Sequence, residues 1–198
     1  MFCKTWLAAL CACVLCLAPA SAMADFARSG PYVAVGAGFA ISTQAEDALR
    51  ALPDGFSTSS VGESADIGLR LGYRLSPHFA TELDLEYVLG FKASRPDIPE
   101  IWDAKVFTAT WNVRAYYTTG RVQPYALVGA GFLYANRSSS SDLFRGDFAR
   151  FAIRLGGGLE VYVTDNIFLD AGFAYVIPFS DPYDLDYMSI RGSVGYRF

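Results

Sequence analysis

Apolar and polar side chains alternate along much of the chain with a period of two. Between residues 64 and 75 every odd position is apolar, whereas the even positions include Asp66, Arg70 and Arg74. After a short break the alternation resumes at Phe79. A period of two predicts a β-strand, because successive side chains of a strand point to opposite faces. These residues therefore predict a long hairpin that carries charge on one face only.

The same alternation predicts eight strands, each of about ten residues or more. They lie at 31–41, 64–75, 79–91, 104–117, 123–134, 148–163, 167–177 and 187–198. Long connections are predicted at 42–63, 93–103, 135–147 and 178–186, and short ones at 76–78, 118–122 and 164–166. Long loops at one end and short turns at the other are typical of a membrane-spanning barrel. We expect an all-β fold, an eight-stranded antiparallel up-and-down transmembrane β-barrel.

The first residues have the parts of a secretory signal peptide. Lys4 precedes an uncharged apolar run, and Ala22-Met23-Ala24 has the A-x-A form of a cleavage site. The apolar run is shorter than the about 20 residues of a spanning helix, which disfavours an uncleaved anchor. We expect a signal peptide at 1–24 and the barrel domain at 25–198, with cleavage after Ala22 as the alternative.

Cysteine content and charge exclude several kinds of site. All four cysteines lie in the leader, at Cys3, Cys11, Cys13 and Cys16, so residues 25–198 offer neither a disulfide nor a thiolate-bound metal. The net charge of −4 excludes nucleic acid as a plausible partner. We expect no catalytic residue, no cofactor and no metal.

Alternation alone also fits a soluble barrel, in which the charged face would point outwards. Three features favour the opposite assignment. The polar face is rich in glycine, for example at Gly36, Gly38, Gly68 and Gly72, as expected in a narrow interior. The last strand ends the chain with Phe198 on its apolar face. Aromatic residues also lie on the apolar face near both strand ends, as in the interfacial girdles of membrane barrels: Tyr73, Phe79, Tyr117, Tyr196 and Phe198 at one level, and Phe39, Phe91, Phe107, Phe132 and Phe151 at the other.

Three motifs, PYVAVGAGF at 31–39, ELDLEY at 82–87 and the terminal GYRF at 195–198, resemble the opacity and OmpA-like β-barrel domain families. The resemblance covers essentially the whole chain after the leader. It implies a porin-family protein of the Gram-negative cell outer membrane, exported by its signal peptide. In those families the barrel-assembly machinery reads a terminal aromatic residue, which implies that role for Tyr196 and Phe198.

The sequence also contains an internal echo. PYVAVGAGF at 31–39 recurs as PYALVGAGF at 124–132, and LRLG at 69–72 recurs as IRLG at 153–156. Duplication of a four-strand unit and convergence on one barrel geometry both account for the echo, and both predict the same fold.

With the charged face inside, six arginines and six acidic residues enter the lumen. They are Asp66, Arg70, Arg74, Glu82, Asp84, Glu86, Arg114, Arg154, Glu160, Asp170, Arg191 and Arg197. Hairpin register sets Arg70 opposite Asp84. An eight-stranded lumen is only wide enough for side chains, which favours a charge-paired plug over an ion-conducting constriction.

In the hairpin of the sixth and seventh strands, the register sets Glu160 opposite Asp170. Two facing carboxylates need a cation between them or a shared proton. The last strand supplies the expected cation, Arg197 or Arg191.

We expect a monomeric surface-exposed envelope or interaction protein with a plugged lumen and no catalysis. The alternative is a narrow porin-like channel for small solutes. A lipid-modifying outer-membrane enzyme is less favoured, because the single histidine, His78, lies in a short periplasmic turn.

The long connections carry 11 acidic residues against 4 arginines when the strand-edge Glu63 is left out, so the cell-facing surface is acidic. The expected partners are outer-membrane lipid and lipopolysaccharide, the barrel-assembly machinery during biogenesis, and an extracellular or host ligand contacted through the long loops.

Overall fold

The computed structural model describes residues 26–42, 64–95, 98–139, 146–179 and 186–198. The predicted signal peptide and most of the predicted loops at 42–63 and 178–186 lie outside these residues. Among the residues described, no helix is long and apolar enough to cross a membrane.

The described residues form eight strands, which close into one antiparallel barrel. The strands are β1 (Gly30–Ser42), β2 (Ser64–Ser76), β3 (Phe79–Arg95), β4 (Ile98–Tyr116), β5 (Val122–Ser139), β6 (Gly146–Tyr162), β7 (Ile167–Pro178) and β8 (Tyr187–Arg197). Each strand pairs with its neighbours in sequence, and β1 pairs with β8. Because the barrel closes, no strand in it is left as an open edge. The predicted fold class is confirmed.

Two of the predicted loops are wrong in extent, because the strands run further than the apolar alternation. β3 ends at Arg95 and β4 begins at Ile98, so most of the predicted loop at 93–103 is strand. β5 and β6 likewise enter the predicted loop at 135–147. The ladder between β3 and β4 continues there through two register shifts. Backbone pairing needs no apolar side chains, so it extends beyond the part of the hairpin that the hydrophobic pattern marks.

Side chains alternate between the outside and the inside of the barrel, as β8 shows from Tyr187 to Arg197. The predicted girdle aromatics whose side chains are described lie outside and are 41% to 85% exposed: Tyr73, Phe79, Tyr117, Tyr196, Phe198, Phe39, Phe107, Phe132 and Phe151. The side chain of Phe91 is outside the described ones. This exposure decides between the two assignments, since a soluble barrel would bury these rings.

The two ends of the barrel differ. One end, here called the turn end, holds the connections at 77–78, 117–121 and 163–166, the segment 26–29 before β1, and the terminal Phe198. Backbone hydrogen bonds fasten the terminus there, since the Phe198 amide donates to the Pro31 carbonyl at 3.1 Å. The opposite end, here called the loop end, holds the connections that are only partly described.

The repeated glycine motif occupies equivalent places in β1 and β5. A Cβ on Gly38 would collide with the Ile190 carbonyl of β8, and a Cβ on Gly131 would collide with the Ala109 carbonyl of β4. At both places the backbone of a paired neighbouring strand, β8 or β4, approaches too closely for a larger residue. The first half of the sequence echo therefore has a local physical reason.

The second pair of repeated motifs, LRLG at 69–72 and IRLG at 153–156, does not occupy equivalent register positions. Gly36 of the first motif pairs with Gly68, whereas its counterpart Gly129 pairs with Arg154. If LRLG and IRLG were equivalent, Gly129 would pair with the β6 residue two positions before Arg154. The two halves of the barrel are therefore not exact copies in register.

Candidate functional site

The barrel interior holds all twelve charged residues that the alternation predicts. Each of them is at most 8% exposed. Taking a carboxylate or a guanidinium out of water costs several kcal/mol, so such burial requires opposite charges at close range. The interior provides them in two clusters that hold eleven of the twelve residues, and Arg74, the twelfth, has neutral partners instead.

The first cluster lies towards the loop end and consists of Asp66, Asp84, Glu86, Arg154 and Arg191. The Arg191 guanidinium contacts all three acids: Nε is 2.9 Å from Asp66 Oδ1, Nη1 is 3.0 Å from Asp84 Oδ1, and Nη2 is 2.7 Å from Glu86 Oε2. Arg154 contacts Glu86 at 2.5 Å and Asp84 at 3.4 Å. This loop-end cluster joins strands β2, β3, β6 and β8.

The second cluster lies towards the turn end and consists of Arg70, Glu82, Arg114, Glu160, Asp170 and Arg197. Arg114 is its centre, with Nε 2.8 Å from Glu82 Oε2 and Nη1 3.2 Å from Asp170 Oδ2. Arg70 Nη2 lies 2.8 Å from the other oxygen of Asp170. This turn-end cluster is balanced in charge, with three arginines and three acids.

The expectation that Arg197 or Arg191 compensates Glu160 and Asp170 holds only in part. Their predicted cross-strand pairing is confirmed. Arg114 of β4, however, contacts both acids, at 3.7 Å and 3.2 Å. Arg197 reaches Glu160 at 3.4 Å, and Arg191 belongs to the loop-end cluster.

The cross-strand neighbour of Arg70 and its ion-pair partner are different residues. It lies opposite Asp84 across the β2–β3 hairpin, as predicted. Its guanidinium nevertheless contacts Asp170 on β7 across the lumen. A long side chain in a narrow barrel reaches past its own hairpin partner, so strand register alone does not assign the ion pairs.

Arg74 occupies the turn end of the lumen and is fully buried. Its Nη1 donates to Gln123 Oε1 at 2.9 Å, and Nη2 donates to the Pro77 carbonyl. The guanidinium carbon lies 3.5 Å from the centre of the Tyr116 ring. Cation–π contact and hydrogen bonds thus surround this arginine.

Buried tyrosines support the acids, and the sequence interpretation did not include them. Tyr32 donates to Glu82 Oε2 at 2.8 Å, and Tyr116 and Tyr162 donate to Glu160 at 3.0 Å and 2.6 Å. Each of these tyrosines lies an even number of residues from the inward-facing positions of its own strand. The alternation alone could therefore have placed them inside the barrel. Aromatic residues were expected on the apolar face only, so these inward-facing tyrosines were not predicted.

A small cavity lies between the two clusters, and Arg70, Asp84, Arg154 and Ser193 are among its lining residues. Its volume is about 20 Å³, which is room for a single water molecule. Ser193 Oγ and Arg154 Nε have no hydrogen-bond partner among the described residues. A water molecule in the cavity would supply one.

An apolar cluster fills the interior between the charges and the loop end. It is formed by residues of every strand except β2, all 0% exposed: Ala40, Val88, Val106, Leu133, Ala135, Ala152, Val176 and Tyr187. The Tyr187 hydroxyl shares a hydrogen bond of 2.8 Å with Thr108 Oγ1. At the other side, aromatic rings interleave with the turn-end charges, since Arg114 lies 4.1 Å from the Tyr125 ring centre.

The remaining candidate residues lie at the turn end. Tyr196 and Phe198 point outwards, 44% and 65% exposed, with ring centres 5.1 Å apart. His78 Nδ1 lies 3.1 Å from the Tyr116 carbonyl oxygen, which fixes its ring against the strand end. Among the described residues no group of three His, Cys, Asp or Glu side chains could hold a metal ion.

Comparison with known families finds one match that covers most of the chain. The sequence model described as "Outer membrane protein beta-barrel domain" matches residues 9–198. A search of curated protein sequences found no match.

Solved structures share the architecture. The N-terminal β-barrel domain of Pseudomonas aeruginosa OprF is 17% identical, covers 86% of this chain and 100% of its own, and has a TM-score of 0.51. The attachment invasion locus protein Ail of Yersinia pestis, crystallised with the heparin analogue sucrose octasulfate, is 18% identical, with coverages of 86% and 99% and a TM-score of 0.54. Neisserial surface protein A is 20% identical, with coverages of 86% and 98% and a TM-score of 0.54. At these identities the likeness concerns the fold.

Proposed function

Since the chain belongs to the outer membrane protein beta-barrel domain family, we propose that it is a monomeric outer-membrane barrel with a closed lumen. Its role is that of a surface-exposed envelope protein that contacts extracellular ligands through its loops. In this orientation the turn end faces the periplasm and the loop end faces outwards.

One observation carries the closed lumen: the two ion-pair clusters stacked beneath an uncharged layer. An ion crossing the barrel would have to separate buried pairs such as Arg154–Glu86 and Arg114–Glu82, and separating such a pair leaves a buried charge without its partner, which is strongly unfavourable. It would then meet the apolar cluster around Leu133 and Val106, and apolar constrictions stop conduction by excluding water. Both obstacles act in series.

Planar-bilayer recording tests the closed lumen. The purified refolded protein is expected to insert without producing conductance steps, next to a large porin measured as a positive control. Reproducible single-channel steps from the wild-type protein would overturn the closed lumen. They would favour the second candidate function, a narrow channel for small solutes.

The sequence of the predicted loops supports a surface role. Their 11 acidic residues against 4 arginines favour bridging to lipopolysaccharide phosphates by divalent cations. The sulfated heparin analogue bound to Ail is a polyanion, and an acidic surface disfavours such a ligand on this chain.

Intact cells test the loop assignment. Protease added outside is expected to cut the protein within 42–63, while a periplasmic marker stays whole. Lipopolysaccharide binding to the purified protein should rise with added Mg²⁺ and fall with a chelator. Resistance to the protease until the cells are lysed, at every loop, would contradict surface exposure.

We propose no catalytic activity for this barrel. The single histidine of the chain lies at the turn end, on the side away from the outer leaflet, with its ring held at the Tyr116 carbonyl. Overproduction should therefore leave the acyl pattern of lipid A unchanged in mass spectra. A change that also appears with the purified protein would show an enzyme.

A further inference from the structure

The segment before β1 is folded into the barrel mouth at the turn end. Phe26 and Ala27 are 8% and 3% exposed, although they precede the first strand. The Phe26 ring packs on Tyr162 with ring centres 5.4 Å apart, and the Arg121 guanidinium carbon lies 5.4 Å from the same ring centre. Residues before the first element of a domain are usually loose unless something holds them. Phe26 is nevertheless buried.

The backbone of this segment is tied into the polar network of the lumen. The Phe26 carbonyl accepts hydrogen bonds from Arg197 Nη1 at 2.5 Å and from Gln123 Nε2 at 3.2 Å. Arg197 also contacts Glu160, and Gln123 accepts from Arg74. One carbonyl therefore serves donors from β5 and β8, on both sides of the mouth.

The donors explain why the segment stays in place. Arg197 and Gln123 are 1% and 0% exposed. Each keeps one other acceptor, Glu160 for Arg197 and the Gly120 carbonyl for Gln123, but each would lose one of the two hydrogen bonds it donates in a buried place, which is unfavourable. Ser29 adds a further tie, since its Oγ donates to the Leu75 carbonyl at 3.3 Å. Withdrawal of the segment would leave the two donors without this acceptor and admit solvent to Arg74.

We propose that residues 26–29 form a stopper that closes the periplasmic mouth of the lumen, with Phe26 as its anchor. Its orientation and purpose rest on the proposed function, a closed outer-membrane barrel. The stopper keeps periplasmic water and small anions away from the buried Arg74 and Arg197. The loop end is closed separately by its own apolar cluster.

Cysteine accessibility tests the stopper, because residues 26–198 contain no cysteine. Ala80→Cys places a thiol behind the stopper, at a 0% exposed position in the same buried cluster as Phe26. Ala40→Cys places one in the apolar cluster of the loop end, and Thr119→Cys gives an exposed reference in a turn. The purified folded protein in lipid vesicles permeable to the reagent is treated with a small charged thiol reagent.

In the wild-type background, the thiol at position 80 should react far more slowly than the thiol at position 119. Phe26→Ala should raise the rate at position 80 about tenfold or more, because the closed state loses its buried ring. The rate at position 40 should stay unchanged. Phe26→Leu should restore most of the protection, and Arg28→Ala, a neighbouring change at an exposed side chain, should have no effect.

Equal reactivity at positions 80 and 119 without any change at Phe26 would overturn the stopper. So would a Phe26→Ala variant that raises positions 80 and 40 alike, since that result describes loosening of the whole barrel. Conductance separates this inference from the proposed function. If the wild-type protein does not conduct but position 80 is unprotected, the stopper is rejected and the closed lumen stands. If the wild-type protein conducts, the closed lumen itself is rejected.

Discussion

For single residues, the main requirement in the lumen is that every buried charge is compensated. The alternation of odd and even positions along each strand was enough to predict which charged residues face inwards. The partners could not be predicted, because they are chosen across the lumen: Arg191 and Asp66 are 125 residues apart, and Arg70 and Asp170 are 100 apart. Register constrains neighbouring strands, while an arginine in a narrow barrel can reach several acids on other strands.

Arg114 is the residue on which the turn-end cluster depends most. Arg114→Ala removes the cation that contacts Glu82, Asp170 and Glu160, and leaves buried carboxylates undercompensated. We expect the free energy of unfolding to fall by about 3–5 kcal/mol. Urea unfolding in lipid vesicles, followed by tryptophan fluorescence, measures the change.

Two further variants sharpen that experiment. Lys105→Ala removes an exposed positive charge from the same strand and should change the stability by less than about 0.5 kcal/mol. Arg114→Lys keeps the charge but loses the planar fork, and should recover only part of the loss. If Arg114→Ala behaves like Lys105→Ala, the cluster is not what stabilises this end of the lumen.

At the scale of elements, the sequence predicted the eight strands and their faces but not their full extent. The alternation of β2, β7 and β8 coincides with the observed strands within one residue at each end. β3 to β6 extend towards the loop end, where neither face needs to be apolar. Residues 26–29 carried no alternation at all, so their place in the mouth depended on contacts that only the folded barrel creates.

Adjacent glycines on β1 and β8 give opposite predictions. A Cβ on Gly38 would strike the β8 backbone, whereas a Cβ on Gly192 would meet nothing within 4 Å. Gly38→Ala should lower the free energy of unfolding by about 1–3 kcal/mol through overpacking. Gly192→Ala should leave it unchanged or raise it by up to about 1 kcal/mol, because it restricts the unfolded chain. Urea unfolding of the pair measures both, and equal effects would contradict the close approach of β1 to β8.

The last strand allows assembly to be separated from stability. Phe198 is 65% exposed on the outer face, so Phe198→Ala removes little buried contact and should leave the purified, refolded barrel nearly as stable. If the barrel-assembly machinery reads this residue, the amount of folded protein in outer-membrane fractions should nevertheless fall several-fold.

Phe179→Ala is the matched control for that prediction. Phe179 is a similarly exposed aromatic, 57% accessible, at the opposite end of the barrel. It should alter neither stability nor membrane level substantially. Equal membrane levels of the Phe198 and Phe179 variants would remove the assembly role from Phe198.

At the scale of the whole molecule, the barrel is inverted relative to a soluble one. Trp111 and Phe132 are 60% and 65% exposed on the outside, whereas Arg74 and Glu86 are fully buried inside. The closed ladder leaves no edge at which unfolding can begin, so the barrel should resist denaturation kinetically as well as thermodynamically.

Migration in SDS gels tests this inversion directly. The apolar exterior binds detergent while the closed ladder keeps its hydrogen bonds, so the unboiled protein should stay folded and migrate faster than the boiled one. The protein should also sediment with membranes and dissolve only with detergent. If it were released by osmotic shock in detergent-free buffer, with one mobility before and after boiling, the charged face would have to lie outside. The buried ion-pair clusters and the stopper both require the charged face to lie inside, so both would then be wrong.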